Sequence, residues 1–350
     1  MKTIKDIDIK DKNILVRVDY NVPIENGKIT DDLRIRASLP TIEYLLEHGA
    51  NKIILISHLG RPDGKENPNL SLKPIIKILQ KLLPNQKRID FLPLPKTSDD
   101  ILKTDSKIVL LENLRFNPGE EKNSEEFIKN IVSFTNADLY IQDGFAVIHR
   151  AHASTDAIKK FLPIYAGFLL EKEVATLKKA IENPKKPVLL IIGGSKVKDK
   201  QPLIDKFLNI ADKIVVGGKI AADGYKPEDP KIYVAEDFDE DITGAKLDVG
   251  PFSTAKIADE INKAETIIWN GLLGKAEDPA YATSSIIAAE VLGNQKDKTV
   301  VICGGDTAGF VENLQKIHPD LKYSIISTGG GAAIEFLTGK NLPGLEPIED

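Results

Sequence analysis

The chain has 350 residues, 42% of them hydrophobic and 28% charged, which at roughly 150 residues per domain points to two domains. Lys+Arg 47 against Asp+Glu 52 leaves a net charge of -5, and Cys303 is the single cysteine; a disulfide framework and a cysteine metal cage are excluded, and a general polyanion binder is not expected, local basic clusters remaining open. No apolar run reaches the ~20 residues a bilayer span needs, and MKTIKDIDIKDKN alternates charge without the apolar centre of a signal peptide, so a soluble cytoplasmic protein is expected.

In chain order, NILVRVDYNVP, NKIILISHLG, KIVLLENLRF and ADLYIQDGF read as buried strands because β-branched and apolar residues run on without polar alternation. Between them TIEYLLEHG and SLKPIIKILQKLLP carry helical spacing, the second opening on Ser71 as its expected cap. IYAGFLLEKEVATLKKAIENPKKP reads as one long helix with Phe168, Leu169, Leu170, Val174, Leu177 and Ile181 as apolar positions, stopped at Pro184 to Pro187. The second half supplies PVLLIIGGS, DKIVVGGK, KIYVAED, ETIIWNGL, TVVICGGD and YSIISTGGG as strands with their following turns. Strand–helix alternation with apolar strands predicts an α/β fold with mainly parallel sheets covered on both faces.

In such sheets ligands bind beyond the carboxyl ends of the strands, and the two halves differ there. The first half places Arg17, Asp19 and Asn21 after one strand, His58 and Arg61 after another, Arg115 after a third, and His149, Arg150 and His152 after a fourth, with Arg34 and Arg36 nearby. Guanidinium forks suit carboxylate and phosphate, so a small, multiply anionic molecule is expected. For His149 and His152, anion binding or packing is preferred over metal ligation. The second half places glycines instead: Gly193-Gly194-Ser195-Lys196, Gly217-Gly218-Lys219, Asn270-Gly271, Gly304-Gly305-Asp306-Thr307 and Thr328-Gly329-Gly330-Gly331. Glycine lets backbone amides approach phosphate closely, so a nucleotide polyphosphate is expected. Neither a Walker motif nor a G-x-G-x-x-G is present. Lys196 and Lys200 can supply mobile positive charge, and Asp306 is the expected partner of Mg²⁺. One half for a phosphate-rich acid and one for a nucleotide suggest phosphoryl transfer.

At these residues the sequence resembles the phosphoglycerate kinases along essentially its whole length: RVDYNVP, SHLGRP and LLENLRF match that family's acid-side loops, and GGSKVKDK, WNGLLGKAE, CGGDTA and STGGGAAIEFLTGKNLPG its nucleotide-side motifs, in order. The resemblance implies two Rossmann-like domains joined by a long helix and hinge: residues 1–165 for 3-phosphoglycerate, joined by the tail 337–350; the helix 166–183; and 184–336 for the nucleotide. It implies reversible transfer of phosphoryl from 1,3-bisphosphoglycerate to MgADP after hinge closure, by a cytoplasmic monomer with Mg²⁺, no tightly bound organic cofactor, and no nucleic-acid or membrane partner. Asp19, Asn21, Arg34, His58, Leu59, Gly60, Arg61, Arg115 and Arg150 would hold the acid. Lys196, Lys200, Gly217, Gly218, Glu277 (on the ribose), Gly304, Gly305, Asp306 and Thr307 would hold the nucleotide, Asp306 with the metal. Arg34, Lys196, Lys200, Gly329 and Gly330, with Gly331, would act on the transferring group.

The chain departs from the family pattern at Ala146, Val147 and Ile148 beside the acid site, and at Lys219, Phe252, Leu272 and Lys275-Ala276 on the nucleotide side. These changes leave open an altered base preference, and a non-catalytic binding protein stands as the second reading. A nicotinamide oxidoreductase is a distant third, since the dinucleotide fingerprint is missing.

Overall fold

The computed structural model describes residues 1–25, 27–86, 88–94 and 104–348. The chain divides into two compact units, Met1–Lys172 with Asn341–Asp350, and Glu173–Lys340.

In the first unit the strands are β1 (Asn13–Arg17), the short antiparallel pair β2 (Ile24–Glu25) and β3 (Lys28–Ile29), β4 (Lys52–Ile56), β5 (Ile89–Leu92), β6 (Ile108–Leu111), β7 (Leu139–Gln142) and β8 (Ile164–Ala166). Six form a parallel sheet in the order β5-β6-β4-β1-β7-β8. Every residue of β1, β6 and β7 is buried, as a sheet covered on both faces requires. The helices Leu39–Glu47, Ile75–Leu82 and Glu125–Thr135 turn Ile42 and Leu45, Ile75 and Leu79, and Phe127, Ile128 and Ile131 inward. The last starts where the Ser124 hydroxyl accepts the Phe127 N–H at 3.3 Å and stops at Asn136, in the left-handed region at φ 45°.

Two local expectations give way. Ser71 does not cap its helix, which begins at Ile75 behind Pro74; its hydroxyl donates to Glu112 at 2.7 Å instead. Ile164–Ala166 is strand β8, not the start of the long helix. That helix spans Phe168–Ile181. At its first turn the Thr41 hydroxyl oxygen accepts the Phe168 N–H at 2.9 Å, and the Asp143 carboxylate accepts those of Leu169 at 2.9 Å and Leu170 at 3.4 Å. An anion there meets the positive end of the helix dipole. The C-terminal segment lies in the first unit: Lys2 N–H donates to Ile348 carbonyl at 3.0 Å, and Gly344 N–H to Ile148 carbonyl at 2.9 Å. Glu349 and Asp350 lie outside the described residues.

The second unit has β9 (Val188–Ile192), β10 (Lys213–Val216), β11 (Ile232–Val234), the antiparallel pair β12 (Phe238–Glu240) and β13 (Lys246–Val249), β14 (Thr266–Asn270), β15 (Thr299–Cys303) and β16 (Ile325–Ile326). Its sheet is parallel in the order β11-β10-β9-β14-β15-β16. The chain builds outward from β9 to one edge, then restarts at β14 on the other side, so the topological switch lies between β9 and β14. Trp269 is fully buried beneath it, its indole N–H donating to Gly271 carbonyl at 2.7 Å. Both units are thus α/β with Rossmann-like parallel sheets. No helix among the described residues is long and apolar enough to cross a membrane.

Candidate functional site

In the first unit the carboxyl ends of β1, β4, β6 and β7 bring guanidinium groups to one place. Arg17 ends β1 almost fully buried; its guanidinium donates to Val18 carbonyl at 3.3 Å and lies 3.2 Å from His58 Nδ1. Arg115 is buried in the turn Leu114–Phe116 and donates to Gly60 carbonyl at 2.8 Å. Its Nε is 3.2 Å from Glu121, an ion-pair contact that is not an aligned hydrogen bond. Burial and then the charges of Arg17, Arg115, Arg150 and Arg34 hold His58 well below its usual range, so it is neutral here. Burial and the neighbouring arginines also lower Arg115 to about 10 and His152 to about 4. Four guanidinium groups converging on one neutral imidazole carry a cost that an anion would offset. Arg17 Nε, Arg115 Nη2 and Gln142 Nε2 are buried without a hydrogen-bond acceptor, and buried donors of this kind call for one.

The remaining acid-side residues frame that cluster. Arg34 pairs with Asp19, whose other oxygen accepts the Asn21 N–H at 3.0 Å. The Asn21 side-chain oxygen accepts the Gly60 N–H at 2.9 Å, tying the loops after β1 and β4 together. Gly60 turns there at φ 61°, while Leu59 points into the core. Arg61 is exposed, and Arg150 is half-buried with its Nε 3.2 Å from His149. The departure at Ala146 to Ile148 forms the turn Phe145–Val147, with Val147 and Ile148 buried and the Ile148 carbonyl receiving the C-terminal segment. A separate cavity of about 1080 Å³, lined by Ile29, Pro68, Ile78 and Phe116 among others, includes none of these arginines.

In the second unit the site is a cleft of about 400 Å³ at the β9/β14 switch, lined by Gly194, Ser195, Lys196, Asp199, Lys200, Lys219, Lys246, Leu247, Gly271, Leu272, Gly274, Lys275, Glu277, Gly304, Gly305, Asp306 and Thr307. The loops after β9 and β14 cross so closely that a side chain at Gly193 would strike the carbonyls of Leu272 and Gly271, and one at Gly271 (φ 97°) the Gly193 carbonyl. The contact is backbone on backbone: Gly193 N–H donates to Asn270 carbonyl at 3.0 Å and Gly194 N–H to Leu272 carbonyl at 2.8 Å. Helices start at Val197 and Gly305 behind this crossing, each presenting free N–H groups. The Thr307 hydroxyl accepts the Gly271 N–H at 2.8 Å.

Lys200 donates to the Asn270 side-chain oxygen, and Asn270 in turn donates to Cys303 carbonyl at 3.0 Å. Burial lowers the Lys200 ammonium from its usual range, opposed by the acids Asp199 and Asp306. Asp306 is exposed in the first turn of the helix Gly305–Ile317 and makes no ion pair among the described residues. One carboxylate beside free helix-start amides is the donor set Mg²⁺ takes when phosphates and water complete its shell; no cluster of three metal-ligating side chains exists among the described residues.

The cleft does not gather every expected residue. Gly217 lies behind it, where a side chain would strike Leu273, and Gly218 turns at φ 61° against Gly194. Lys219 is the residue of that turn that lines the cleft, its ammonium paired with Asp223 at 2.6 Å. Phe252 is 56% exposed under the Lys256 ammonium, outside the lining. Gly329, Gly330 and Gly331 sit after β16 at the start of the helix Gly331–Leu337, and the Gly329 N–H donates to the Ser327 hydroxyl at 3.1 Å. The strand-end reading named Arg17, although the set implied by the resemblance left it out; the charge that ends the otherwise apolar run NILVR was its signal. Sequence reasoning passed over Asn270 as the group that holds Lys200 and Lys246 as a wall of the cleft, and nothing in the sequence marks Lys246.

The phosphoglycerate kinase family model matches residues 4–232 and 226–340. The chain is 38% identical to the phosphoglycerate kinase of Fervidobacterium nodosum and 39% to that of Coprothermobacter proteolyticus, each match covering 99% of this chain and 98% of the relative. Among solved structures, the phosphoglycerate kinase of Pyrococcus horikoshii superposes with a TM-score of 0.85 at 26% identity and that of Coxiella burnetii with 0.80 at 31%, each over 99% of this chain and 98% of the other.

Proposed function

The chain belongs to the phosphoglycerate kinase family and is a phosphotransferase of glycolysis acting on a phosphoglycerate and an adenine nucleotide, and from that premise we propose that it moves phosphoryl reversibly between 1,3-bisphosphoglycerate and MgADP by in-line transfer. The convergence of Arg17, Arg34, Arg115 and Arg150 on neutral His58 supports this reading most strongly, because it supplies a desolvated site for a compact polyanion. Asp19, Asn21, His58, Gly60, Arg61, Arg115 and Arg150 hold the three-carbon acid, and the cleft from Lys196 to Thr307 holds the nucleotide, with Glu277 on its ribose.

The nucleophile is already anionic in both directions, so no general base is needed. The chain must align and neutralise a loose, highly charged transition state. Arg34 neutralises the transferring group from the acid side; Lys196 and Lys200 do so from the nucleotide side. Amides at the helix starts Val197 and Gly305 fix the leaving phosphates, and those of Gly329 to Gly331 face the transferring oxygens once Ser327 yields its bond. Asp306 would hold Mg²⁺, which supplies Lewis-acid neutralisation of nucleotide phosphate oxygens when bound. Transfer needs both reactants in one water-excluded space, so the reading includes a hinge closure, the chain passing between units within the helix Phe168–Ile181.

The test is the reverse reaction, 3-phosphoglycerate with MgATP, followed by consumption of the acyl phosphate, with Arg34→Ala as control. Turnover that depends on Arg34 supports the proposal. A folded protein that binds both ligands and turns over neither would make it a binding protein instead.

A further inference from the structure

We infer that Glu120 is a positioning residue of the acid site, which acts through Ser154 to fix the segment that presents Arg150. The inference rests on the reading of that site as the one for the three-carbon acid.

Glu120 belongs to the short helix Pro118–Glu121, which follows the turn Leu114–Phe116 that carries Arg115. It is fully buried, and so is Ser154. Three bonds join their two segments. Glu120 Oε2 accepts the Ser154 N–H at 3.0 Å, its Oε1 accepts the Ser154 hydroxyl at 2.6 Å, and its carbonyl accepts the Ala153 N–H at 2.9 Å. The Tyr140 hydroxyl, from β7, donates to the Ser154 carbonyl. Ser154 thus has its N–H, its hydroxyl and its carbonyl all engaged. One residue further on, the hold passes to Arg150. The Thr155 hydroxyl donates to the Arg150 carbonyl at 2.5 Å and accepts the His152 N–H at 3.1 Å. A buried polar network with its members satisfied rigidifies the segment that contains it.

Glu120 has a more obvious partner nearby that it does not take. Burial lowers the Arg115 guanidinium, and the charges of Glu121 and Glu120 oppose that drop. Yet both Glu120 oxygens are committed to Ser154, and Arg115 Nη2 stays without an acceptor. A carboxylate closing on a guanidinium fork would occupy the donors that a bound anion needs. Turned to Ser154 instead, Glu120 leaves the fork open while it fixes the backbone behind Arg150. Burying a carboxylate is costly unless hydrogen bonds offset it, and the two that Ser154 donates are of the strong, charge-assisted kind.

The experiment is a double-mutant cycle on the reverse reaction, reading kcat and the KM values for 3-phosphoglycerate and MgATP. Glu120→Gln and Ser154→Ala are measured alone and each combined with Arg150→Met. Glutamine keeps the size of Glu120 with a single oxygen; alanine removes the Ser154 hydroxyl. Each alone should raise KM for 3-phosphoglycerate by roughly three- to tenfold, toward the lower end of the coupling found within one network. The kcat and the KM for MgATP should stay within about twofold. In the Arg150→Met background the same substitutions should change KM for 3-phosphoglycerate by less than about twofold, because the group they position is gone. An equal rise in both backgrounds would overturn the inference, as would an unchanged KM or a parallel rise in the KM for MgATP. Should one of the two variants fail to fold, the other completes the cycle. Where turnover is absent, the dissociation constant of 3-phosphoglycerate carries the same comparison. An Arg150→Met chain that binds 3-phosphoglycerate normally would take Arg150 out of the acid site, and the inference with it, by a result in which Glu120 has no part.

Discussion

The two units solve one problem with different materials. Each is a parallel sheet that presents a candidate anion site at the carboxyl ends of its central strands. The first builds it from side chains: buried guanidinium groups of Arg17 and Arg115, with Arg34 and Arg150, around His58. The second builds it from backbone: loops crossing at Gly193 and Gly271, helix starts behind them, and lysines added at the rim. The side-chain site gains charge and fixed forks, but stores like-charge repulsion in the folded protein. The backbone site stores little charge, but every added carbon collides. The first should therefore fail by losing a group and the second by gaining one.

The largest expected effect tests where the first unit's charge acts. Arg34→Ala should lower kcat by about 10²- to 10³-fold, as loss of a preorganised transition-state contact does, while nucleotide affinity stays within about twofold. Steady-state kinetics and ADP titration separate the two. A near-normal kcat would remove Arg34 from the transferring group and leave it as a partner of Asp19.

Gly271→Ala reverses the logic. The residue sits at φ 97° and its new methyl would meet the Gly193 carbonyl, so stability should fall by about 2–4 kcal/mol through strain and backbone collision. Nucleotide binding should weaken while 3-phosphoglycerate binding by the first unit persists. Denaturant unfolding with each ligand reads both, and an unchanged midpoint would show that the crossing has more room than its geometry allows.

Arg17→Met tests the stored repulsion. The carbonyls that Arg17 contacts keep other donors: Val18 carbonyl has the Ser57 hydroxyl at 2.9 Å, and Ile56 carbonyl has the Val18 N–H at 3.1 Å. Removing the charge should then leave the ligand-free protein as stable or up to about 2 kcal/mol more stable. The rise in Tm given by 3-phosphoglycerate should shrink. A large loss of ligand-free stability would mean that the cluster holds the fold together more than it strains it.

These contrasts also explain what the sequence made legible. The parallel α/β architecture and the strand ends are readable because buried strands must be apolar on both faces, as in NILVR, KIILI and VLLII. Glycine clusters are readable because few residues tolerate φ 97°. The edge elements of the first sheet are not: β5 contains Asp90, paired with Arg88, and β8 is three residues held by pairing with β7, which only the tertiary fold supplies. Ser71 misled because hydroxyl caps and hydroxyl tethers share one sequence signature; the distant Glu112 decided it. Lys246 was invisible for a similar reason, since β12 and β13 form a hairpin that carries it to the cleft from a segment without a motif. Groups assembled by long-range contact leave no local period to detect.

The junction gives the smallest effect per pH step and the most specific sign. Asp143 is buried where the long helix begins, its Oδ1 accepting helix N–H groups and its Oδ2 without a hydrogen-bond partner. Burial raises its carboxyl from 3.8 to about 7, against the bonds from Thr41, Leu170 and Leu169. A folded-state pKa above the unfolded one means that the folded chain keeps a proton the unfolded chain has lost. This carboxyl therefore costs nothing below about pH 4, costs progressively more up to about pH 7, and a constant amount beyond. Its slope cannot exceed about 1.4 kcal/mol per pH unit, one proton's worth. Asp156 and Asp212, whose carboxyls are held low, give the opposite slope at the acid end in both proteins, so the difference between them isolates Asp143. Asp143→Asn keeps an oxygen for the helix amides and removes the titration. Urea midpoints from pH 4.5 to 7.5 should fall less steeply in Asp143→Asn than in the unaltered chain; parallel curves would mean that Asp143 is ionised throughout and that the helix amides outweigh its burial.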